Sequence, residues 1–200
     1  MLRVVRIPHW LQRLFPQWIW TGHSQSIYLT FDDGPHPQST FRILQLLQSM
    51  GWQATFFVIG RHAERLPDLI HAIRVAGMQM GNHGYEHLHG WKTAVPQYFA
   101  NYQRGKFISK SPLFRPPYGK MPIGMGSKIR KDGSQVIMWT VMPYDFSNRP
   151  ISPNTWINQL SGGEIIALHD SPRGADYFEK VIWPLSQKLQ MEGWTLGLLQ

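Results

Sequence analysis

From Ser26 onward, short apolar runs alternate with longer stretches whose apolar residues recur every three or four positions. Ile27, Tyr28, Leu29, Thr30 and Phe31 read as a strand, closed by Asp32-Asp33-Gly34-Pro35. Phe41, Leu44, Leu47 and Met50 then follow helical spacing, and Gly51 stops the run. Residues 54–59 (ATFFVI) predict a second buried strand. Leu66, Leu69, Ile70 and Ile73 form the next helical stripe, ended by Gly77, and residues 78–81 predict a short strand entering a histidine-rich loop. Further strands are expected at residues 113–115, 136–139, 165–168 and 195–198. A helix carrying Phe178, Val181, Ile182, Leu185 and Leu189 precedes the last, with a kink expected at Pro184.

Repeated βα units with near-continuous apolar strands imply an α/β fold, a parallel sheet with helices outside. About seven such units predict a small closed or nearly closed barrel, a distorted (β/α)7-type barrel with parallel strands and outer helices. The C-terminal strand ends carry the chemistry in such folds. The polar clusters fall there: Asp32 and Asp33, then His83 and His87, then Arg115, then His169.

Composition narrows the picture. The 200 residues are 42% apolar and include nine tryptophans and ten phenylalanines, enough for one well-packed domain and too many aromatics for disorder. With no repeat or linker visible, residues 23–200 read as one catalytic domain preceded by an N-terminal segment, residues 1–22. Cysteine is absent, so a metal must be held by imidazole and carboxylate, a donor set that suits zinc and its first-row neighbours.

The net charge of +8 invites an acidic partner. The basic residues (Arg3, Arg6, Arg13, Arg61, Arg65, Arg74, Lys128, Arg130, Lys131) are scattered, however, and nucleic acid is not expected as a partner. No stretch approaches a membrane span, and the N-terminus is a poor signal peptide, so a cytoplasmic or membrane-peripheral location is expected. Trp10, Leu11, Leu14, Phe15 and Trp18 cluster on one side of a short helix. They serve equally a segment docked on the domain or an interfacial anchor making peripheral membrane contact.

Two adjacent carboxylates leaving a strand point in different directions, so one can ligate an ion while the other faces the water that the ion activates. Alone, Asp-Asp-Gly-Pro is also good turn chemistry. His83 and His87 stand four apart, the spacing that puts two imidazoles on one face of a helical turn. With Asp33 they compose a two-histidine, one-carboxylate set that leaves positions open, and an ion held there lowers the pKa of bound water to ~7.

Together these segments resemble the polysaccharide deacetylases, carbohydrate esterase family four, from about Ile27 to Leu199. TFDDGP at residues 30–35, GNHGYEH at 81–87, FRPPYG at 114–119 and ALHD at 167–170 stand in the family's order. The resemblance implies Asp32 as general base, and Asp33, His83 and His87 as ligands of a divalent metal, Zn2+ first, with Co2+, Ni2+ or Mn2+ as alternatives. It implies Arg115 as the arginine that orients the base, the Tyr118 backbone N–H as an oxyanion donor and His169 as general acid. The implied substrate is an N-acetylated glycan or oligosaccharide; O-acetyl ester hydrolysis and metal-stabilised glycan binding are the alternatives.

Three positions depart from the family pattern. Gly84 replaces a hydroxyl residue, Phe146 replaces a tryptophan near the sugar, and Met142 stands where an aspartate pairs with the acid histidine. Unless Asp145 or Asp170 substitutes, His169 is expected to be a weaker acid partner, with an upper pH limb displaced to lower pH.

Overall fold

The computed structural model describes residues 5–200; Arg3 and the first four positions of the N-terminal segment lie outside them. A short helix, α1 (His9–Leu14), precedes β1 (Ser26–Asp32), α2 (Thr40–Ser49) and β2 (Thr55–Val58). Then come α3 (Gly60–Arg65), α4 (Pro67–Val75), β3 (Gln79–Asn82), α5 (Val95–Ser109) and β4 (Leu113–Phe114). The chain continues through α6 (Met125–Lys131), β5 (Gln135–Val136), α7 (Pro153–Ile157), β6 (Ile165–His169), α8 (Pro172–Glu192) and β7 (Thr195–Leu196).

The strands run in the order β5-β4-β3-β2-β1-β6, with β7 beside β1, and every strand pairing among the described residues is parallel. Residues between β5 and β6 carry the ladder across as irregular backbone. Ile137 N–H donates to Phe114 (2.8 Å), Thr140 N–H to Ile165 (3.0 Å), and Ala167 N–H to Val141 (2.9 Å). The result is a distorted (β/α)7 barrel. The N-terminal segment edges this irregular stretch: Ile19 bridges Ile137, Arg6 bridges Val141, and Thr21 bridges Glu164.

Strand β1 is buried almost throughout because both of its faces are covered. Alternation sends Leu29 and Phe31 outward under α2 and α8, where Phe31 meets Phe56 at 5.1 Å and Phe178 edge-on at 5.0 Å. Tyr28 belongs to a different cluster, with Phe57, Leu113, Ile137, Ile165 and Leu199. Thr30 and Asp32 share Tyr28's side of the strand, so the alternation that builds the core also aims the first carboxylate.

Several elements differ from the sequence reading. The buried face of α2 is Thr40, Ile43, Leu44 and Leu47, whereas Phe41 and Met50 are exposed, since the 100° helical step rotates them off the core. An additional helix, α3, precedes α4, which begins at Pro67 where the missing N–H costs nothing. Helix α8 runs its full 21 residues with Pro184 inside. Helix α5 has no counterpart in the apolar pattern, because it buries Tyr98, Tyr102, Gly105 and Ser109 rather than an aliphatic stripe.

Candidate active site

Asp32 ends β1, and across the barrel Arg115 follows β4 directly. Arg115 is fully buried, and Nη1 donates to Asp32 Oδ1 (2.8 Å) and to the Thr30 hydroxyl (2.5 Å). Its other nitrogens donate to the carbonyls of Ile137 (Nε, 3.4 Å) and Met138 (Nη2, 3.1 Å), and the guanidinium lies 4.1 Å from the centre of the Phe57 ring. Burial pulls Arg115 below its ordinary pKa while the Asp32 charge opposes that pull. The bond to Arg115 holds the buried Asp32 carboxylate in one orientation.

Asp33, His83 and His87 converge beside this pair. The Nε2 atoms of His83 and His87 stand 3.4 and 3.1 Å from Asp33 Oδ1. Burial would raise the Asp33 carboxyl, but the facing imidazoles hold it far below the usual carboxylate range. His83 Nδ1 lies 2.8 Å from the Arg115 carbonyl, a contact that orients the ring with Nε2 toward Asp33. Asp33 Oδ1 is buried with no hydrogen bond in spite of the two nitrogens beside it. An orphaned carboxylate oxygen facing two imidazole nitrogens fits a shared cation, and the spacings suit bonds of ~2.0–2.2 Å to a common ion.

The histidine loop is pinned by residues that spacing did not reveal. Asn82 accepts from Gly84 N–H (2.8 Å) and donates to the Tyr102 carbonyl in α5 (3.0 Å). Asn101, also in α5, accepts from Glu86 N–H through its side chain (2.7 Å) and from Tyr85 N–H through its backbone (3.2 Å). The departure at Gly84 has a steric cause. Its φ is +77°, and a Cβ there would stand 2.8 Å from the Asn101 amide nitrogen. Gly105 is needed where α5 crosses the loop, since a Cβ would come within 2.2 Å of Asn82 Oδ1.

Backbone strain gathers here too. Of the five described non-glycine residues with positive φ, Asp33, His87 and Tyr118 are predicted site residues, and Tyr144 neighbours Asp145. Tyr118 sits at φ +59°, half exposed, with its ring 4.6 Å from that of His87.

His169 ends β6, in register beside Asp32 of β1. The missing partner at Met142 is replaced by Asp145. Asp145 Oδ1 is 2.7 Å from His169 Nδ1, and Oδ2 accepts from the His169 backbone N–H at 2.7 Å. Burial disfavours the imidazolium, but the Asp145 charge and hydrogen bond outweigh it and raise His169 to about 9. The expected weakening of His169 is therefore corrected: the carboxylate arrives three residues later along the loop. Asp170 serves otherwise, accepting from the Ser39 and Thr40 hydroxyls at 2.6 Å each. Burial pushes its carboxyl up to about 6 against those hydroxyls. Gly34 is required beneath it, because a Cβ would lie 2.3 Å from Asp170 Oδ2. Phe146 meets the His169 ring edge-on at 4.6 Å.

A parallel α/β barrel that gathers carboxylates and imidazoles at its C-terminal strand ends places them where such barrels carry their chemistry. Within it, the chain belongs to the polysaccharide deacetylase family, whose model matches residues 21–137. It is 27% identical to a peptidoglycan-N-acetylglucosamine deacetylase of Bacillus cereus, over 88% of this chain and 87% of that protein. It is 30% identical to a chitooligosaccharide deacetylase of Azorhizobium caulinodans, over 82% and 80% respectively. Among solved structures, a family 4 carbohydrate esterase from Streptomyces lividans in complex with acetate matches with a TM-score of 0.78 at 29% identity, over 90% of this chain and 95% of that one.

Proposed function

We propose that this chain is a metal-dependent hydrolase removing N-acetyl groups from an amino-sugar glycan or oligosaccharide. The observation that carries the reading is the orphaned Asp33 oxygen facing two imidazole nitrogens, beside a carboxylate held by a buried arginine. Relatives that deacetylate peptidoglycan N-acetylglucosamine and chitooligosaccharides support the substrate class.

Asp33, His83 and His87 would hold the divalent ion, Zn2+ first by its donor set. When bound, it supplies a Lewis acid for the water and the acetyl carbonyl. The rest falls to the chain's own groups. Asp32, oriented by Arg115, takes a proton from the water as its oxygen bonds to the acetyl carbon. The Tyr118 backbone N–H helps hold the oxyanion. As the carbon–nitrogen bond breaks, the His169 imidazolium protonates the departing nitrogen, and acetate and the free amine leave. Base and acid lie on neighbouring strands, which suits proton movement at two sides of one carbon.

The test is acetate release from N-acetylglucosamine oligomers and from an acetate ester by the protein loaded in turn with Zn2+, Co2+, Ni2+ and Mn2+. Release from the amide, lost in Asp32→Asn, is expected. Ester-only release would make the chain an O-acetyl esterase, and no release with any ion would leave a glycan-binding protein.

A further inference from the structure

Beside the site lies a cavity of about 610 Å3, within the ~300–1,000 Å3 common for small-molecule sites. Ile7, Leu11, Phe15 and Trp18 of the N-terminal segment form one wall, and Met121, Met138 and Trp139 contribute to the rest. Such a lining suits an apolar chain better than a sugar, whose hydroxyls would lose water without finding partners. Tyr118 and Gly119 also line the cavity, and the Tyr118 ring packs against His87, so one molecule can extend from the cavity to the Asp33 cluster.

Two further observations point to an amphiphile. The lining includes Lys120 and Arg130 and, among the described residues, no acidic side chain, so the charge complement is an anion. Trp91 and Ile123 line the cavity while 72% and 100% exposed, and Trp10 and Leu14 of α1 are exposed as well. Large apolar groups left in water around a cationic cavity are the pattern of a surface that meets lipid.

We propose that the cavity takes the hydrocarbon chain of an anionic glycolipid, with its phosphate near Lys120 and Arg130 and its N-acetylated sugar at the Asp33–His83–His87 cluster. This rests on the deacetylase reading for the sugar end only; the chain end rests on the cavity.

Two measurements separate the two parts. Tryptophan fluorescence, titrated with dodecyl phosphate below its micelle threshold, should show saturable binding at least about tenfold tighter than inorganic phosphate or dodecanol. Gly126→Leu, in α6 where even a Cβ would lie 2.9 Å from Trp18 Nε1, should weaken that binding about tenfold or more. Ile123→Asp, at a fully exposed position that folding tolerates, should do likewise by placing a carboxylate at the rim, whereas Phe107→Asp on a remote exposed position should change nothing. In the activity arm, the dodecyl phosphodiester of N-acetylglucosamine should release acetate with kcat/KM about tenfold or more above that of N-acetylglucosamine 1-phosphate. Gly126→Leu and Ile123→Asp should erase that ratio. Absent or variant-insensitive dodecyl phosphate binding overturns the lipid cavity while leaving oligosaccharide hydrolysis standing. Dodecyl phosphate binding without acetate release from any sugar supports the cavity and overturns the deacetylase reading. A concentration-dependent dimer that shields the same tryptophans assigns the face to a second copy and overturns the proposal.

Discussion

Burial alone would drive His169 toward its neutral form, but Asp145 beside Nδ1 raises it to about 9. The protonated form is the proton donor, so it persists below about pH 9 and is lost as pH rises through that value. Asp145→Asn removes the charge and keeps an acceptor, so the upper limb of kcat/KM against pH should move to lower pH. Met142→Asp should leave the limb in place, because the Nδ1 position is already filled. A limb unmoved in Asp145→Asn would refute this pairing as the source of the shift. Arg115→Met tests a different residue-scale effect. It leaves the Asp32 carboxylate buried and unpaired and strips the donors from two carbonyls. Breaking a buried pair in this way costs ~3–5 kcal/mol, to be read from urea unfolding. A loss under ~1 kcal/mol would mean that water reaches Asp32 readily.

At the scale of elements, the histidine loop depends on α5 rather than on its own conformation. Gly84 and His87 both have positive φ, and the loop's amides are accepted by Asn82 and Asn101. Asn101→Ala should therefore loosen the ligand geometry and lower zinc affinity ~10–100-fold, as loss of a supporting partner does at other metal sites. Calorimetric zinc titration checks this, and unchanged affinity would show that the Asn82 clamp suffices alone.

Across the whole molecule, the proposed ligands come from the ends of two strands, so an ion held there ties β1 to β3 through the loops that follow them. Zinc at about a hundred times its Kd should stabilise the fold by ~2.7 kcal/mol, or roughly 5–10 °C in Tm for a chain of this size. Asp33→Asn should abolish the shift and Asp32→Asn should keep it; scanning calorimetry with and without zinc distinguishes them. Equal shifts in both variants would place the ion elsewhere. The packing of α8 on the sheet sets the base stability. Phe178→Ala, at a fully buried ring in edge contact with Phe31, should cost ~3–5 kcal/mol by denaturant unfolding.

Strands such as β1, β2 and β6 were legible because each is a continuous apolar run, and a parallel sheet covered on both faces requires that pattern. The positions of Asp32, Asp33, His83, Arg115 and His169 followed from the same runs, since each stands at or just after a strand's C-terminal end. Periodicity, however, reports only neighbours along the chain. It could not show α5, which packs through aromatic and small residues, nor assign Asn101 to the histidine loop. It left Asp145 and Asp170 as equal candidates to stand beside His169. Only the path of the loop after β5 brings Asp145 back across 24 residues to that imidazole, and only the barrel's closure sets Arg115 on Asp32 from 83 residues away. Those pairings belong to the tertiary structure because charge and hydrogen bonding act through space, at distances that sequence separation does not encode.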